Sequence, residues 1–261
     1  MSETVRTNGY LARQEIERIK STLPEDRLEQ FGFKVYSQGD EDGIIEEIFN
    51  RLRIKKGTFL EIGVENGLEC NTMYLLHKGW KGYWIEGNAD QIPNFQKFEG
   101  LCKKGQLTIG ISHVTKENIN PIINDFDIKD NLDFLSIDID GMDIHILDAL
   151  EIRPKVICIE YNAKWPAYVE RVPVYDPDYC WKGDDYMGAS LYSIIKVATR
   201  KGYTLVGTNI TGANAFFVRS DLTNVFPYHT IDKLYNPPRY WLIFDHFWHI
   251  GHPAGFGEYE D

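Results

Sequence analysis

Residues 58–67 read TFLEIGVENG, an apolar run that ends in the spacing Glu-x-Gly-x-x-x-Gly. The apolar run is typical of a strand that is buried on both faces of a parallel sheet. Gly63 and Gly67 have no Cβ atoms, which allows a tight turn that a ligand can approach closely. Because ligands bind at the carboxyl ends of strands in open sheets, we expect a ligand site here, beside unpaired N–H groups of the following helix.

Strand-like and helical patterns alternate after this turn. The next apolar runs are GYWIEG, QLTIGIS, DFLSIDID and KVICIEY, and helical segments separate them. A helix with the sequence ASLYSIIKVATRKG and two final strands, YTLVGTN and NAFFVRS, complete the pattern. This order predicts an α/β fold with a mostly parallel sheet and helices on both faces.

The chain is predicted to have three parts. Residues 1–34 form an N-terminal helical segment, 35–220 the main domain, and 221–261 a tail rich in aromatic residues and histidine. Within the main domain, 162–186 interrupt the alternation, as is typical of a functional lid. The tail has three histidines at intervals of three, His246, His249 and His252. We favour packing over a zinc site for them, because partners with known zinc spacing are missing.

Composition excludes several classes of protein. The chain has 261 residues, of which 28 are basic and 39 acidic, so its formal net charge is −11. This charge disfavours a nucleic-acid partner, because neutralising phosphates needs a basic face. No apolar run reaches the roughly 18 residues of a membrane span, and the charged N-terminus lacks the apolar core of a signal peptide. Four cysteines without metal-type spacing predict reduced thiols in a cytoplasmic protein.

Two acidic residues indicate which ligand the turn binds. Glu61 would repel a pyrophosphate, and the GxG of a dinucleotide site is missing. Glu86 ends the second strand about 20 residues after the turn, where an acid suits ribose hydroxyls. An adenosine ligand with a cationic amino-acid end fits both acids, and that ligand is S-adenosylmethionine (SAM). The alternative is that both acids cap helices or lie at the surface.

This arrangement resembles the class I SAM-dependent methyltransferases. The resemblance covers about residues 35–220 and rests on the ExGxxxG turn, on Glu86 and on the closing strand pair. It implies a seven-stranded, Rossmann-like sheet of order 3-2-1-4-5-7-6 with one antiparallel strand. It also implies contacts from Ser112 to the adenine and from Gln38 to the methionine end. For Gln38, a simple turn residue is an equal alternative.

Acidic residues end the fourth and fifth predicted strands. Asp138 and Asp140 lie in SIDIDGMD, and Glu160 and Asn162 lie in IEYN. Since adjacent parallel strands end side by side, these oxygen ligands suit a hard cation such as Mg²⁺. We therefore expect Asp138, Glu160 and Asn162 as metal ligands. In the alternative, Asp138 contacts the cofactor alone.

The reaction site resembles two groups of methyltransferases. Asp138-x-Asp140 is similar to the fourth-strand motif of the metal-dependent sugar O-methyltransferases of the macrocin and novobiocin type. Glu160-x-Asn162 departs from their paired aspartates. The FkbM-type methyltransferases share the ExGxxxG turn and an acid-rich fourth strand, and the resemblance to them does not imply a metal. A neutral hydroxyl is a poor nucleophile, so we expect Asp140 as the base, with His145 as the second choice.

The insert is expected to provide the acceptor surface. It mixes aromatic faces, cations and hydroxyls in Lys164, Trp165, Tyr168, Arg171, Tyr175, Tyr179 and Trp181. This mixture suits a sugar or a phosphorylated polar acceptor, whereas the alternative role of these aromatics is packing. Residues 212–214, before the last strand, are also expected to face the site.

The resemblance implies an enzyme, a SAM-dependent O-methyltransferase that acts on a hydroxyl of a sugar or similar small polar metabolite. The expected acceptors include phosphorylated and nucleotide-linked metabolites. The usual setting would be the biosynthesis of surface glycans, such as capsule polysaccharide, or of secondary metabolites. The alternatives are an NAD-type oxidoreductase and a non-catalytic partner protein with the same fold. The N-terminal helix suggests a homodimer, although a helix packed on its own domain has the same pattern.

Overall fold

The computed structural model describes residues 3–128, 130–242 and 259–260. The strands are β1 Thr58–Ile62, β2 Lys81–Glu86, β3 Leu107–Ile111, β4 Phe134–Ile137, β5 Val156–Glu160, β6 Val172–Pro173, β7 Tyr203–Thr208, β8 Asn214–Arg219 and β9 Tyr259–Glu260. The helices are α1 Glu3–Thr22, α2 Glu41–Arg51, α3 Met73–His77, α4 Ile92–Phe95, α5 Glu99–Lys103, α6 Ile119–Asp125, α7 Asp143–Ala149, α8 Leu191–Arg200 and α9 Ile231–Leu234. The histidines His246, His249 and His252 lie outside the described residues.

The main sheet has seven strands in the order β3-β2-β1-β4-β5-β8-β7. β1 pairs in parallel with β2 and β4, while β8 runs antiparallel to β5 and β7. This is the predicted Rossmann-like order, because β6 belongs to the insert and pairs with β9 outside the main sheet. The topology therefore brings the carboxyl ends of β1, β2, β4 and β5 to one edge.

The sheet is buried on both faces, as its continuous apolar runs predict. Alternate side chains of a strand point to opposite faces, so Leu60 and Ile62 belong to one core cluster and Phe59 to the other. The first cluster includes apolar residues of α6, α7 and α8. The second includes residues of α2, α3 and α4, with Trp84 of β2 fully buried among them. Two helical layers thus hold the sheet edge rigidly in place.

Several elements differ from their predicted bounds. β4 ends at Ile137 rather than continuing to Asp140, because Asp140 has a φ of 57° and lies in a turn. The helix expected around 92–98 is divided into α4 and a 3₁₀ turn, Gln96–Phe98. The helix after the glycine turn begins only at Met73. Apolar periodicity does not reveal these ends, because side-chain contacts determine them.

The N-terminal helix α1 packs on its own domain. Ala12 and Ile19 of α1 contact Ile210 and Leu242 in a small buried cluster. The homodimer stays a prediction. Over the described parts of the chain, no helix combines the length and the apolarity that crossing a membrane requires. All four cysteines are free thiols.

Buried carboxylates connect the start of α2 to the β7–β8 turn. Asp40, which is 7% exposed, accepts hydrogen bonds from the Ile210 N–H at 3.2 and 3.3 Å. Burial raises the pKa of Asp40 to about 8, and the Glu41 and Glu29 carboxylates add to the shift. Asp40 is therefore neutral over much of the ordinary pH range in the folded chain.

This shift makes stability depend on pH. Above about pH 6, ordinary carboxylates no longer titrate, but native Asp40 still holds a proton that the unfolded chain has lost. The free energy of unfolding should therefore fall as the pH rises from about 6 to about 8, by at most about 1.4 kcal/mol per pH unit for this group. Asp40→Asn should make the free energy of unfolding, measured with urea, depend less steeply on pH in this range. The exposed Asp148→Asn is the control, and equal slopes in Asp40→Asn and wild type would contradict the assignment.

Candidate functional site

A crevice follows the edge of the sheet where β1, β2, β4 and β5 end. It consists of two adjoining cavities with volumes of about 420 and 460 Å³. The first cavity lies over the ends of β2 and β3, and the second extends toward β5 and β8. Both are lined by Gly63, Glu65, Asp138, Asp140 and Trp181. The shared walls make the two cavities one continuous site.

The glycine turn is required by packing within the protein as well as by any ligand. Gly63 has a φ of 82°, and a Cβ there would lie 1.7 Å from the Asp138 carbonyl oxygen. Gly67 has a φ of 73°, and a Cβ would lie 2.8 Å from atoms of the Trp84 and Phe98 rings. Gly63 lines both cavities, whereas Gly67 is covered by the two aromatic rings.

Glu61 lies at the second cavity, but its carboxylate is engaged by the protein. It accepts hydrogen bonds from the N–H groups of Asn71 at 2.7 Å and Thr72 at 3.0 Å. The Thr72 hydroxyl also donates to it at 2.5 Å. Burial raises the pKa of Glu61 to about 7. Glu61 thus holds the backbone of the two residues that precede α3, which begins at Met73. The expectation of unpaired N–H groups in the first turn of this helix stays a prediction.

Glu86 holds the glycine loop from the end of β2. Its Oε2 accepts from the N–H groups of Val64 at 3.1 Å and Glu65 at 2.7 Å, and its Oε1 accepts from Asn88 at 2.8 Å. A carboxylate oxygen can accept two hydrogen bonds, so Oε1 keeps one position for a ligand. Glu86 lines the first cavity, and its contact with a ribose stays a prediction.

The two weaker cofactor predictions have different outcomes. Ser112 donates its backbone N–H to the Glu86 carbonyl at 2.8 Å, and the next residues, 113–115, line the first cavity instead. Ser112 itself does not line either cavity, so the residues beside the first cavity are the three that follow it. Gln38 lies at the second cavity with an exposed side chain, so a contact with the methionine end stays a prediction.

Three half-buried carboxylates converge where the two cavities meet. Asp138, Asp140 and Glu160 each place an oxygen within 4.8 Å of the others. Burial and then repulsion from neighbouring carboxylates raise the pKa values of Asp138 and Glu160 well above the usual range. Burial, with repulsion from Asp143, Glu65 and Glu86, raises the pKa of Asp140 to about 6. The Oε2 of Glu160 has no hydrogen-bond partner among the described residues. This donor set suits a hard divalent cation.

Two predicted site residues have other roles. Asn162 does not join the three carboxylates, because its Nδ2 donates to the Asp185 carbonyl at 2.7 Å and its Oδ1 accepts from the Lys164 N–H at 3.1 Å. The third member of the group is Asp140, where the sequence analysis expected Asn162. His145 contacts the Pro173 carbonyl through Nε2 at 2.8 Å, so it holds β6 of the insert and is not a base in the crevice.

Asp143 positions the turn that carries Asp140, a role that the sequence analysis missed. Its buried carboxylate accepts from the N–H groups of Ile139 and Gly141, both at 2.9 Å. These bonds hold Asp140 in the left-handed region, where aspartate is better tolerated than most residues. The signal was present as the third acid in DIDGMD.

The insert covers the first cavity. Three of the seven residues predicted to bind the acceptor line this cavity, Tyr175, Tyr179 and Trp181. The other four make packing contacts. Lys164 pairs with Asp185 and Arg171 lies over the Trp165 ring, both within the insert, and Tyr168 bonds to Asp232 outside it. The ring of Tyr179 lies against Gly141, where a Cβ would come within 2.6 Å of it. Packing and lining roles are thus divided among these side chains.

Comparisons with known proteins add a likeness in fold. Neither family models nor curated proteins gave a match to the sequence. Among solved structures, the chain is similar to a putative caffeoyl-CoA O-methyltransferase from Staphylococcus aureus, with 16% identity, a TM-score of 0.47, and coverage of 79% of this chain and 90% of that chain. The chain is also similar to the N-terminal domain of EvdMO1, solved in the presence of SAH and D-fucose. The identity is 14%, the TM-score is 0.43, and the match covers 79% of this chain and 94% of that chain.

A third similar structure is the pyocyanin biosynthetic protein PhzM, with 11% identity and a TM-score of 0.41. The match covers 66% of this chain and 53% of PhzM, so the chain spans about half the length of that protein. The fold assignment rests on the strand order of the sheet itself. That order is the one of the Rossmann-like class I methyltransferase fold.

The close approach at Gly63 can be tested with two alanine variants. Gly63→Ala should lower the free energy of unfolding by more than the roughly 1 kcal/mol that a left-handed alanine costs, because its Cβ also meets the Asp138 carbonyl. Gly105→Ala has a similar φ of 65° and open space around its Cβ, so it measures the backbone cost alone. Equal losses in the two variants, measured by urea unfolding, would refute the packing role.

Proposed function

We propose that the chain is a SAM-dependent methyltransferase that transfers a methyl group to a hydroxyl of a small, polar, sugar-like acceptor. The charge of the crevice supports this. Its lining contains the carboxylates of Glu61, Glu65, Glu69, Glu86, Asp138, Asp140, Glu160 and Asp176. No lysine or arginine is found among the described residues that line either cavity. A pyrophosphate would meet repulsion here, whereas a sulfonium and an ammonium group would be attracted.

The first cavity would hold the adenosine part. Glu86 offers the free position on Oε1 to the ribose, and residues 113–115 lie beside the base. The positive end would then lie toward the shared wall, near Glu65 and Asp138. When bound, SAM supplies a methyl group on a positively charged sulfur, which leaves as a neutral thioether.

Asp140 is the proposed base for the acceptor hydroxyl. Its pKa of about 6 lies near neutral pH, where a base can be ionised and still accept a proton effectively. Asp143 fixes the turn on which Asp140 lies, so the carboxylate is held in one position. The Tyr179 ring against Gly141 covers this turn and limits the access of water.

The three converging carboxylates would also fit a divalent cation such as Mg²⁺. Asp138 and Glu160 would hold it with Asp140 beside them, and the oxygen of Glu160 that lacks a hydrogen-bond partner supports this placement. A cation here would lower the pKa of the acceptor hydroxyl. We place the reaction in the cytoplasm, in glycan or secondary-metabolite biosynthesis, and the free thiols fit a reducing compartment.

The cofactor can be tested by isothermal titration. SAM should bind the wild type, and NAD should give no heat. Glu86→Gln should weaken SAM binding by about tenfold or more, because an amide donor would replace a carboxylate acceptor at the ribose. The exposed Glu99→Gln should bind as the wild type does. Heat from NAD and none from SAM would make the proposal untenable.

The cation can be tested separately with Mn²⁺, whose binding electron paramagnetic resonance detects directly. Protein saturated with S-adenosylhomocysteine should bind Mn²⁺, and Asp138→Asn or Glu160→Gln should weaken binding by about tenfold or more. Asp176→Asn, at the first cavity but outside the three carboxylates, is the matched control. If wild type binds S-adenosylhomocysteine but no Mn²⁺, the metal part is wrong and Asp140 acts without it.

A further inference from the structure

The second cavity has two chemically different walls. One wall is apolar and consists of a packed cluster with Met187, Ala213 and Tyr240, against which Trp181 lies. The other wall is polar and includes Glu160 and Asn214. A ligand that fits between them needs an apolar face and an edge of polar groups.

Asn214 has an oxygen without a partner beside this cavity. The residue is 3% exposed, and it is paired across the sheet with Glu160 of β5. Its Nδ2 donates to the Glu41 Oε1 at 3.1 Å. Because a carboxylate accepts and does not donate, this bond determines the orientation of the amide. The Oδ1 then has no partner among the described residues, which is unfavourable for a buried carbonyl unless a ligand supplies a donor.

The surrounding contacts hold Asn214 firmly. The side chain of Asn209 accepts from the Asn214 N–H at 2.9 Å and donates to Glu41 at 2.5 Å. Glu41 also accepts from the Gly39 N–H at 2.7 Å through its other oxygen. The amide oxygen is therefore placed in advance, as a binding group should be.

We infer that the second cavity is the acceptor subsite for a sugar ring without phosphate, and that Asn214 is a specificity-determining residue that accepts a hydrogen bond from a ring hydroxyl. This inference rests on the proposed methyltransferase function. The C–H face of the ring packs against Trp181, Met187 and Tyr240, and its hydroxyl edge faces the polar wall. No lysine or arginine is found among the described residues that line the second cavity, so a phosphate would have no basic side chain to pair with there. The subsite thus narrows the acceptor to unphosphorylated sugars.

The test measures S-adenosylhomocysteine release from SAM with a defined set of probes. The probes are the methyl glycosides of glucose, galactose, mannose and rhamnose, with glucose 6-phosphate as the charged comparison. At least one neutral glycoside should raise release above the acceptor-free rate, and glucose 6-phosphate should raise it less. Asn214→Ala should raise the KM for that glycoside by roughly tenfold or more. The exposed Asn94→Ala should leave it unchanged.

Deoxy analogues of the active glycoside identify the hydroxyl involved. With the wild type, one analogue should raise KM by as much as Asn214→Ala raises it for the parent glycoside. With the Asn214→Ala variant, the same analogue should cause little further rise in KM. The variant should fold, because Asn209 and the Gly39 N–H still supply donors to Glu41. An affinity for S-adenosylhomocysteine equal to that of the wild type would show that the Asn214→Ala variant is folded.

The outcomes separate the two proposals. If wild type binds no SAM, the proposed function fails. If SAM binds but no neutral glycoside is methylated, or glucose 6-phosphate is preferred, the acceptor inference fails while the cofactor assignment stands. If Asn214→Ala retains the wild-type KM, the role of Asn214 is wrong.

Discussion

The approach of Gly63 to the carbonyl of Asp138 is the contact on which the site depends. It joins the turn after β1 to the turn after β4, and any side chain at Gly63 would separate them. Backbone hydrogen bonds from Gly63 to Ile85 and from Asp138 to Ile62 fix the same junction. With the turns this close, acids from three strands meet around one continuous crevice.

The electrostatics of the crevice follow from this crowding. Burial opposes the ionisation of these carboxyls, and repulsion from neighbouring carboxylates adds to the effect. The pKa values of Asp138, Asp140 and Glu160 are all raised for these reasons. A positive ligand would relieve the repulsion and would bind the ionised form most strongly. The same surroundings give Asp140 a pKa suited to a base.

Side chains far apart in sequence support the crevice from behind. Glu61 holds the backbone just before α3, and Asp143 holds the turn after β4, so both act on the shape of the site through backbone N–H groups. Glu41, the first residue of α2, accepts a hydrogen bond from the Asn214 side chain and so orients it on β8. Stability and site geometry therefore depend on one network of buried acids.

The sequence by itself determined the sheet, its strand order and the edge at which Glu86, Asp138 and Glu160 meet. The alternation of apolar runs and helical patterns, a local property of the chain, predicted the mostly parallel sheet. The strand order was implied by the resemblance of the ExGxxxG turn, Glu86 and the closing strand pair to the class I methyltransferases. The tertiary structure alone decided that Asn162 and His145 fasten the insert and that Asn214 presents an oxygen to the second cavity. The physical reason is that a polar side chain takes its role from the partners it finds, and those partners come from distant parts of the chain.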